Sequence, residues 1–472
     1  MALSVLDLSW SELLEPLSYN QAAPPGFLAL TKAVMTIAGG SELAFRFLPL
    51  LAGLVSVYIF LPVARKLLNR RALALAIFLF GISGPLVYYS AEFKQYSLDL
   101  AICLALTWLF FFSLDRPCGK RSVAALIAAG SVAVWFSHAS VFVLFAGGVV
   151  LEIKALRERS HKRVFLLMLV GGAWLFSFAV LYVLNLRHIA HNRYLQDFWG
   201  YTFMPFDLRA VSWTIQKTLE LVANPVGLSA VGLALVCFVW GLRDLFGESP
   251  EKSLILVLPI LTALLASAAH RYPFSGRFLL FTVPAFLVCM ARGASQIMEH
   301  ARNRARWLGI AFLALLLFRP SVSAVRGAVR GPQREEIRQA LEYLCAEAQA
   351  GDRLYVYYGA RNPFLYYSKR MDLPDLRIIY GEESRDNWGG YKTDLRLLRG
   401  GGRVWLLFSH VYRANGANER KLILHHCEDF GSCEDKYKTT GASAYLFHFP
   451  DEHKKLSYQA VQAREWNRGT DY

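Results

Sequence analysis

Long apolar runs separated by short basic loops fill the first 318 residues of this 472-residue chain. A bilayer core is spanned by about 20 mostly apolar helical residues. Ten runs approach that pattern: Leu43–Val63, Ala72–Tyr89, Ser90–Leu114, Ser122–Phe136, Val141–Leu156, Val164–Leu184, Leu228–Phe246, Leu254–Ala269, Phe278–Met298 and Trp307–Val322. They predict an α-helical polytopic membrane domain over residues 43–322, preceded by a loop over 1–42. Within that loop Pro25–Ala38 reads as a helix too short to span, resting at the interface. Beyond residue 322 the pattern changes. Gln333–Gln349 has amphipathic helical spacing, and Gly351-Asp352 supplies a turn. Strand-length apolar runs follow at Leu354–Tyr358, Leu376–Tyr380, Val404–Phe408 and Ala444–Phe449. Such alternation predicts a small C-terminal α/β domain over 323–450. Gly400–Gly402 precedes a strand instead of joining a strand to a helix, so it reads as a turn and not a phosphate loop. From Asp451 the chain is a polar tail, expected to be loose.

Composition sharpens this picture. Hydrophobic residues make up 55% of the chain, aromatic residues 14% and charged residues only 18%, against roughly 25% charged in soluble domains. The net charge of +15 is concentrated in the apolar part, where residues 1–318 hold 27 basic and 16 acidic side chains. Nucleic acid is therefore not an expected partner; the lipid bilayer is. Cys103, Cys118, Cys237 and Cys289 read as small buried hydrophobes. Cys427 and Cys433 are six apart in the C-terminal domain, and a disulfide and two free thiols fit equally well. No Cys/His spacing indicates structural zinc. No basic segment followed by an apolar core marks a cleavable signal peptide, and no repeat recurs at a fixed period.

Charge also predicts orientation. Alternate short loops carry sixteen basic residues, from Arg65, Lys66, Arg70 and Arg71 to Arg302, Arg304 and Arg306. The opposite loops carry only Lys94, Arg271 and Arg277. Basic loops stay cytoplasmic, so both termini, the long loop Asn185–Gly227 and the C-terminal domain are expected outside.

Four polar groups fall on that outer side. Tyr19 to Gly26 contains Gln21 and the pair Pro24-Pro25, a rigid turn that starts a helix. In Tyr88 to Asp99, continuous helix would put Glu92, Tyr96 and Asp99 on one face, with Asp99 about 10 Å deeper than Glu92. A carboxylate inside a span is costly and faces a cavity or a partner. An aromatic interfacial belt with a snorkelling Lys94 fits the same run except for Asp99. His138 lies in a tight turn between two spans, where it serves either as a hydrogen-bonded turn residue or as a catalyst or ligand. His270 to Arg277 places Arg271, Tyr272 and Arg277 at the mouth of a span. Paired guanidinium groups there suit a phosphate or anchor to lipid headgroups.

The order Gln21…Pro24-Pro25, Phe47-Leu48-Pro49, Tyr88-Tyr89-Ser90-x-Glu92-x-x-x-Tyr96 and Tyr272-Pro273-Phe274-x-x-Arg277 resembles the GT-C glycosyltransferases of the bacterial mannosyltransferase-like type. These are similar to protein O-mannosyltransferases, lipid A aminoarabinose transferases and lipopolysaccharide-core galacturonosyl transferases. The resemblance covers residues 1–320 and is strongest over 15–114. It implies transfer of a sugar from a polyprenyl-phosphate donor to an acceptor glycan, lipid or protein on the outer face of a bacterial inner membrane. Glu92 and Asp99 are then the candidate catalytic residues. Gln21, Lys94, Tyr96, His138, Arg271, Tyr272 and Arg277 are the candidate substrate-binding residues. No cofactor is certain; a divalent metal stays open, without assigned ligands. Such families carry an Asp-Glu pair after a first span, whose Asp acts as base, and this sequence begins beyond that point. One further apolar stretch followed by Asp-Glu is therefore expected upstream of Met1 in a longer chain. Two other functions remain: a non-catalytic paralogue that binds lipid-linked sugar, and a transporter or flippase. The second would show related halves with broken midplane helices, which the sequence lacks.

Overall fold

The computed structural model describes residues 1–15, 17, 21–116, 119–228, 230–301, 306–330, 335–385, 387–414 and 417–450. Cys118 and the polar tail from Asp451 lie outside the described residues. The chain divides into two compact units, Met1–Gly331 and Pro332–Tyr472.

The first unit is helical, and each of the ten apolar runs has a helix at its centre. The helix Pro25–Ala38 has the bounds expected of it, with Pro25 at its first position, where a missing N–H costs nothing. Two of the following helix starts have side-chain caps: the Ser41 hydroxyl accepts the Ala44 N–H, and the Asn69 side chain accepts the Ala72 N–H. Among the described residues six helices are long and apolar enough to cross a membrane. The number is seven if Arg70–Ile82 and Gly84–Ser90, bent by 49°, count as one span. The ten expected runs exceed this for a physical reason. Lys120–Phe136 has only 17 residues, while Ser140–Arg157 and Val231–Glu248 carry charged residues in their closing turns.

The tightest crossing joins Val231–Glu248 to the helix Val283–Ala301. Each contributes a small residue four before a glycine: Cys237 and Gly241 on one, Cys289 and Gly293 on the other. All four lie where the backbones meet. A Cβ on Gly241 would stand 1.8 Å from the Cys289 carbonyl oxygen, and one on Gly293 would stand 2.0 Å from the Cys237 carbonyl oxygen. Small residues let backbones approach in lipid, where dispersion and not water drives association. At the charged end of this pair Arg292 donates to Asp244 and Glu248, each at 2.5 Å, and to the Leu67 carbonyl at 3.2 Å.

The second unit is an α/β sandwich built on seven strands: β1 Arg353–Val356, β2 Arg377–Tyr380, β3 Gly402–Ser409, β4 Arg413–Ala414, β5 Ala417–Asn418, β6 Ser432–Lys438 and β7 Ala442–Phe449. Five form one sheet in the order β2-β1-β3-β7-β6, parallel across β2-β1-β3 and antiparallel from β3 to β6. Strands β4 and β5 pair as a small ribbon. The helix Ile337–Glu347 buries Ile337, Ala340, Leu341 and Leu344 in the core of this unit. Gly400 and Gly402 have φ of +64° and +66°, the turn geometry expected ahead of β3.

Loops following the three parallel strands are tied together by one buried carboxylate. Glu419 accepts the hydroxyls of Tyr357, Tyr358 (2.9 Å) and Tyr391 (2.9 Å). Tyr357 in turn accepts the Tyr412 N–H, and Tyr358 accepts Arg385 Nε at 3.0 Å. Burial and this carboxylate raise the Tyr357 phenol. Cys427 is buried and Cys433 exposed, and both are free thiols.

Candidate functional site

Glu92, Lys94, Tyr96, Asp99, Tyr272 and Arg277 gather at one end of the first unit, and the chain reaches them differently from the sequence pattern. The helix that carries Asp99 begins only at Tyr96. Residues Ala91–Gln95 are non-helical, with Lys94 N–H bonded to the Glu92 carbonyl at 2.7 Å. Glu92 therefore does not share a helix face with Tyr96 and Asp99, and the expected rise of seven helical residues does not apply. The break has a cause in Phe93. Its ring packs against Phe27 at 5.7 Å and Phe45 at 4.7 Å, which pulls the backbone out of helix. Lys94 is consequently turned inward. Burial lowers its ammonium pKa, the Arg277 charge lowers it further, and Glu92 offsets part of this.

Arg277 sits in a short 3-10 segment, Gly276–Thr282, at the mouth of the span continued by Val283–Ala301. Its guanidinium lies 5.5 Å from the Tyr96 ring centre, 5.1 Å from that of Trp199 and 5.7 Å from that of Phe278. Three rings around one cation favour the charge by their quadrupoles and fix the guanidinium plane. The aromatic wall continues outward through Tyr89, 5.3 Å from Tyr96, and Tyr88. It continues inward through Tyr272, whose hydroxyl donates to the Phe278 carbonyl at 2.9 Å, and Phe142.

Buried polar atoms without partners lie at the starts of the helices Tyr96–Leu114 and Ser140–Arg157 and on the 3-10 segment of Arg277. They are Gln95 Oε1, Asp99 Oδ1, His138 Nε2 and Arg277 Nε. Asp99 is 7% exposed and faces the Ser137 side chain, beside His138. Native interiors leave few such groups unpaired, and those they do leave call for an explanation. Gln21 Oε1 is also unpartnered, on the segment leading into Pro24-Pro25. Arg271, by contrast, is exposed beyond the end of the helix Pro250–Ala268, and none of the described contacts joins it to the ring around Arg277. The two arginines do not form one clamp. A cavity of about 20 Å³, lined by Cys103, Thr107, Ile255 and Phe281 among others, lies one turn deeper than Asp99. It is large enough for one water. Among the described residues no three His, Cys, Asp or Glu side chains converge as a metal-ion site.

Sequence reasoning missed Trp199 and Phe278. Phe278 is adjacent to a recognised arginine, so its neighbourhood was legible. Trp199 comes from the long loop after the helix Arg193–Phe198, and nothing in its spacing pointed to Arg277.

Burial alone lowers the His138 imidazole from 6.5 to about 4, so the ring stays neutral through the neutral range. The unfolded chain binds a proton near 6.5 that the folded chain refuses. This contribution to stability is complete above that value and declines as pH falls toward about 4. Unfolding measured at pH 5 and pH 7.5 should therefore differ less in His138→Gln than in the parent. Equal pH dependence in both would show that the ring is not held neutral.

Residues 22–182 match the family model of dolichyl-phosphate-mannose-protein mannosyltransferases. No curated protein sequence matches the chain. Among solved structures, ArnT from Cupriavidus metallidurans bound to undecaprenyl phosphate superposes with a TM-score of 0.53 at 12% identity, over 94% of this chain and 91% of that one. Its apo state gives 0.51 at the same identity and coverage. The oligosaccharyltransferase AglB from Archaeoglobus fulgidus, in complex with an inhibitory peptide and a dolichol-phosphate, gives 0.51 at 12% identity, over 94% of this chain and 70% of that one. Helices of membrane-spanning length followed by a C-terminal sheet are thus an arrangement this chain shares with solved proteins: it has the fold of ArnT and AglB, and its residues 22–182 carry the resemblance to the mannosyltransferase family model.

Proposed function

We propose that this protein moves a sugar from a polyprenyl-phosphate donor to an acceptor hydroxyl on the outer face of the bacterial inner membrane. The observation that carries the reading is the caged Arg277 with its unpartnered Nε, set within electrostatic reach of Lys94. Two cations near one another at a membrane rim are costly unless an anion joins them, and a lipid phosphate supplies that anion. The ArnT structure with undecaprenyl phosphate and the AglB structure with dolichol-phosphate support this choice of donor class.

In this reading Arg277 and Lys94 hold the phosphate as it departs with its lipid. Tyr96 and Tyr272 form the wall beside the sugar, and Gln21 and His138 offer hydrogen bonds to its hydroxyls. Glu92, on the non-helical segment beside Lys94, orients the acceptor. Asp99, deeper and walled by Ser137, shapes the floor of the site. Arg271 meets lipid headgroups at the rim. A second reading, binding of lipid-linked sugar without transfer, is favoured by the separation of Glu92 from the Asp99 helix face.

The test is transfer by purified protein in nanodiscs, using polyprenyl-phosphate sugars as donors and product mass as readout. Glu92→Gln keeps shape and removes charge, and at least a tenfold loss of rate is expected, about 1.4 kcal/mol of barrier. Parent-like transfer in Glu92→Gln removes that residue from the reaction. Donor binding without any transfer by the parent protein supports the second reading.

A further inference from the structure

We propose that the helix Arg209–Ala223, inside the long loop between two spans, is seated in the membrane leaflet at the level of the Arg277 cage, with the acyl chains of that leaflet covering one of its faces. The helix has three faces. The first packs inward: Lys217 and Leu221 are buried, Lys217 pairs with Glu220 at 2.7 Å, and Trp213 lies 6.2 Å from Phe274. Phe274 belongs to the rim loop that also carries Arg277, which fixes the height of the helix. The second face is polar and contains Arg209, Ser212 and Gln216, all exposed. The third is apolar and exposed. Leu208, at the N-cap, is 97% exposed, Val211 68%, Ile215 58% and Leu219 44%. At 100° per residue these four positions fall within about 80° of arc, a continuous stripe along the first three turns that ends where Val222, on the same arc, is buried. Phe206, 81% exposed, extends it at the N-terminal end.

Two further observations choose lipid as the occupant. The helix cannot leave the rim, because the chain after it folds back at once. The Val226 N–H bonds to the Leu221 carbonyl and the Leu228 N–H to the Val222 carbonyl, both at 3.0 Å, immediately before the helix Val231–Glu248. The apolar stripe is also continuous in character with the flanking helices, where Phe176 (73% exposed) and Val239 (63% exposed) face outward. An amphipathic helix held parallel to a bilayer buries its apolar face among the upper acyl carbons. The same loop carries Trp199 and Tyr201. Tyr201 contacts Lys217, and its carbonyl accepts Trp213 Nε1 at 3.4 Å. The seated helix therefore holds the turn that closes over Arg277. This inference does not depend on the reaction proposed above.

The experiment places a fluorescent label on single cysteines in the full chain, in phosphatidylcholine nanodiscs, with Cys118, Cys345 and Cys433 replaced by serine. Val211→Cys, Ile215→Cys and Leu219→Cys probe the stripe, and Ser212→Cys probes the polar face. Phosphatidylcholine brominated on its upper acyl carbons should quench the three stripe labels at least about twofold more than the Ser212→Cys label, as expected for a shallow interfacial helix. Aqueous iodide should show the reverse order. Iodide quenching of the stripe without a bromolipid effect would put it in water and overturn the proposal. Shielding from both quenchers would put a protein surface over it, such as a second copy, and overturn it equally.

Discussion

Gly293→Leu is expected to prevent the first unit from assembling, so that the variant is recovered only as aggregate or as a protease-sensitive species. No rotamer avoids the conflict, because a Cβ alone would lie 2.0 Å from the Cys237 carbonyl oxygen and 2.8 Å from the Gly241 nitrogen. Backbone atoms cannot swing aside as a side chain can. The helices must separate, which removes the packing on which lipid-immersed association depends. Overpacking typically costs 1–3 kcal/mol where side chains can yield; against backbone we expect more than about 4 kcal/mol, in the range that marks severe variants. Gly241→Leu should behave alike. The control is Gly171→Leu on the helix His161–Leu181, where an added Cβ meets nothing within 4 Å. Size-exclusion profiles and limited proteolysis of the three variants decide the matter. Monodisperse, protease-resistant Gly293→Leu would show that this crossing is looser than the structure has it.

Arg277→Ala is expected to weaken donor binding about 100-fold, equivalent to ~2.7 kcal/mol. Arg277→Lys should recover part of this and remain about tenfold weaker, because an ammonium keeps the charge without the planar fork. The aromatic cage makes the lysine replacement worse than usual, since Trp199, Tyr96 and Phe278 are placed around a flat cation. Arg271→Ala should change binding little, as that side chain is exposed and outside the cage. The readout is affinity for a polyprenyl phosphate measured in nanodiscs. Unchanged affinity in both Arg277 variants would make this residue a structural anchor. A large loss in Arg271→Ala instead would move the phosphate outward to the rim.

The apolar runs were legible because each answers to one solvent, the hydrocarbon, and needs no knowledge of its neighbours. So was Pro25–Ala38, where proline supplies the start. The five-residue break at Ala91–Gln95 was not. It follows from Phe93 inserting between Phe27 and Phe45, two rings distant in sequence, and helical spacing through Glu92, Tyr96 and Asp99 carries no trace of that contact. The sheet divides in the same way. Strands β1, β2, β3 and β7 fall on the expected apolar runs, whereas β6, Ser432–Lys438, is polar and mostly exposed at the sheet edge, so no alternation of apolar residues marks it. Of the site, Arg277, Tyr96 and Tyr272 could be read from a motif and a position at a span mouth. Trp199 could not, because its role exists only once the long loop has folded back onto Phe278.

Glu419 has a consequence for how the second unit breathes. The groups it gathers belong to segments that follow β1, β2 and β3, and each tyrosine that donates to it also accepts from a loop: Tyr357 from Tyr412, Tyr358 from Arg385 and Tyr391 from the Ser384 N–H. None of these loops can open alone without stranding a buried carboxylate or a buried hydroxyl, each of which costs more than a loop closure returns. Their amide protons should then exchange through one shared opening event and not three, which makes the strand ends a single cooperative unit whose lifetime is set by the carboxylate at its centre.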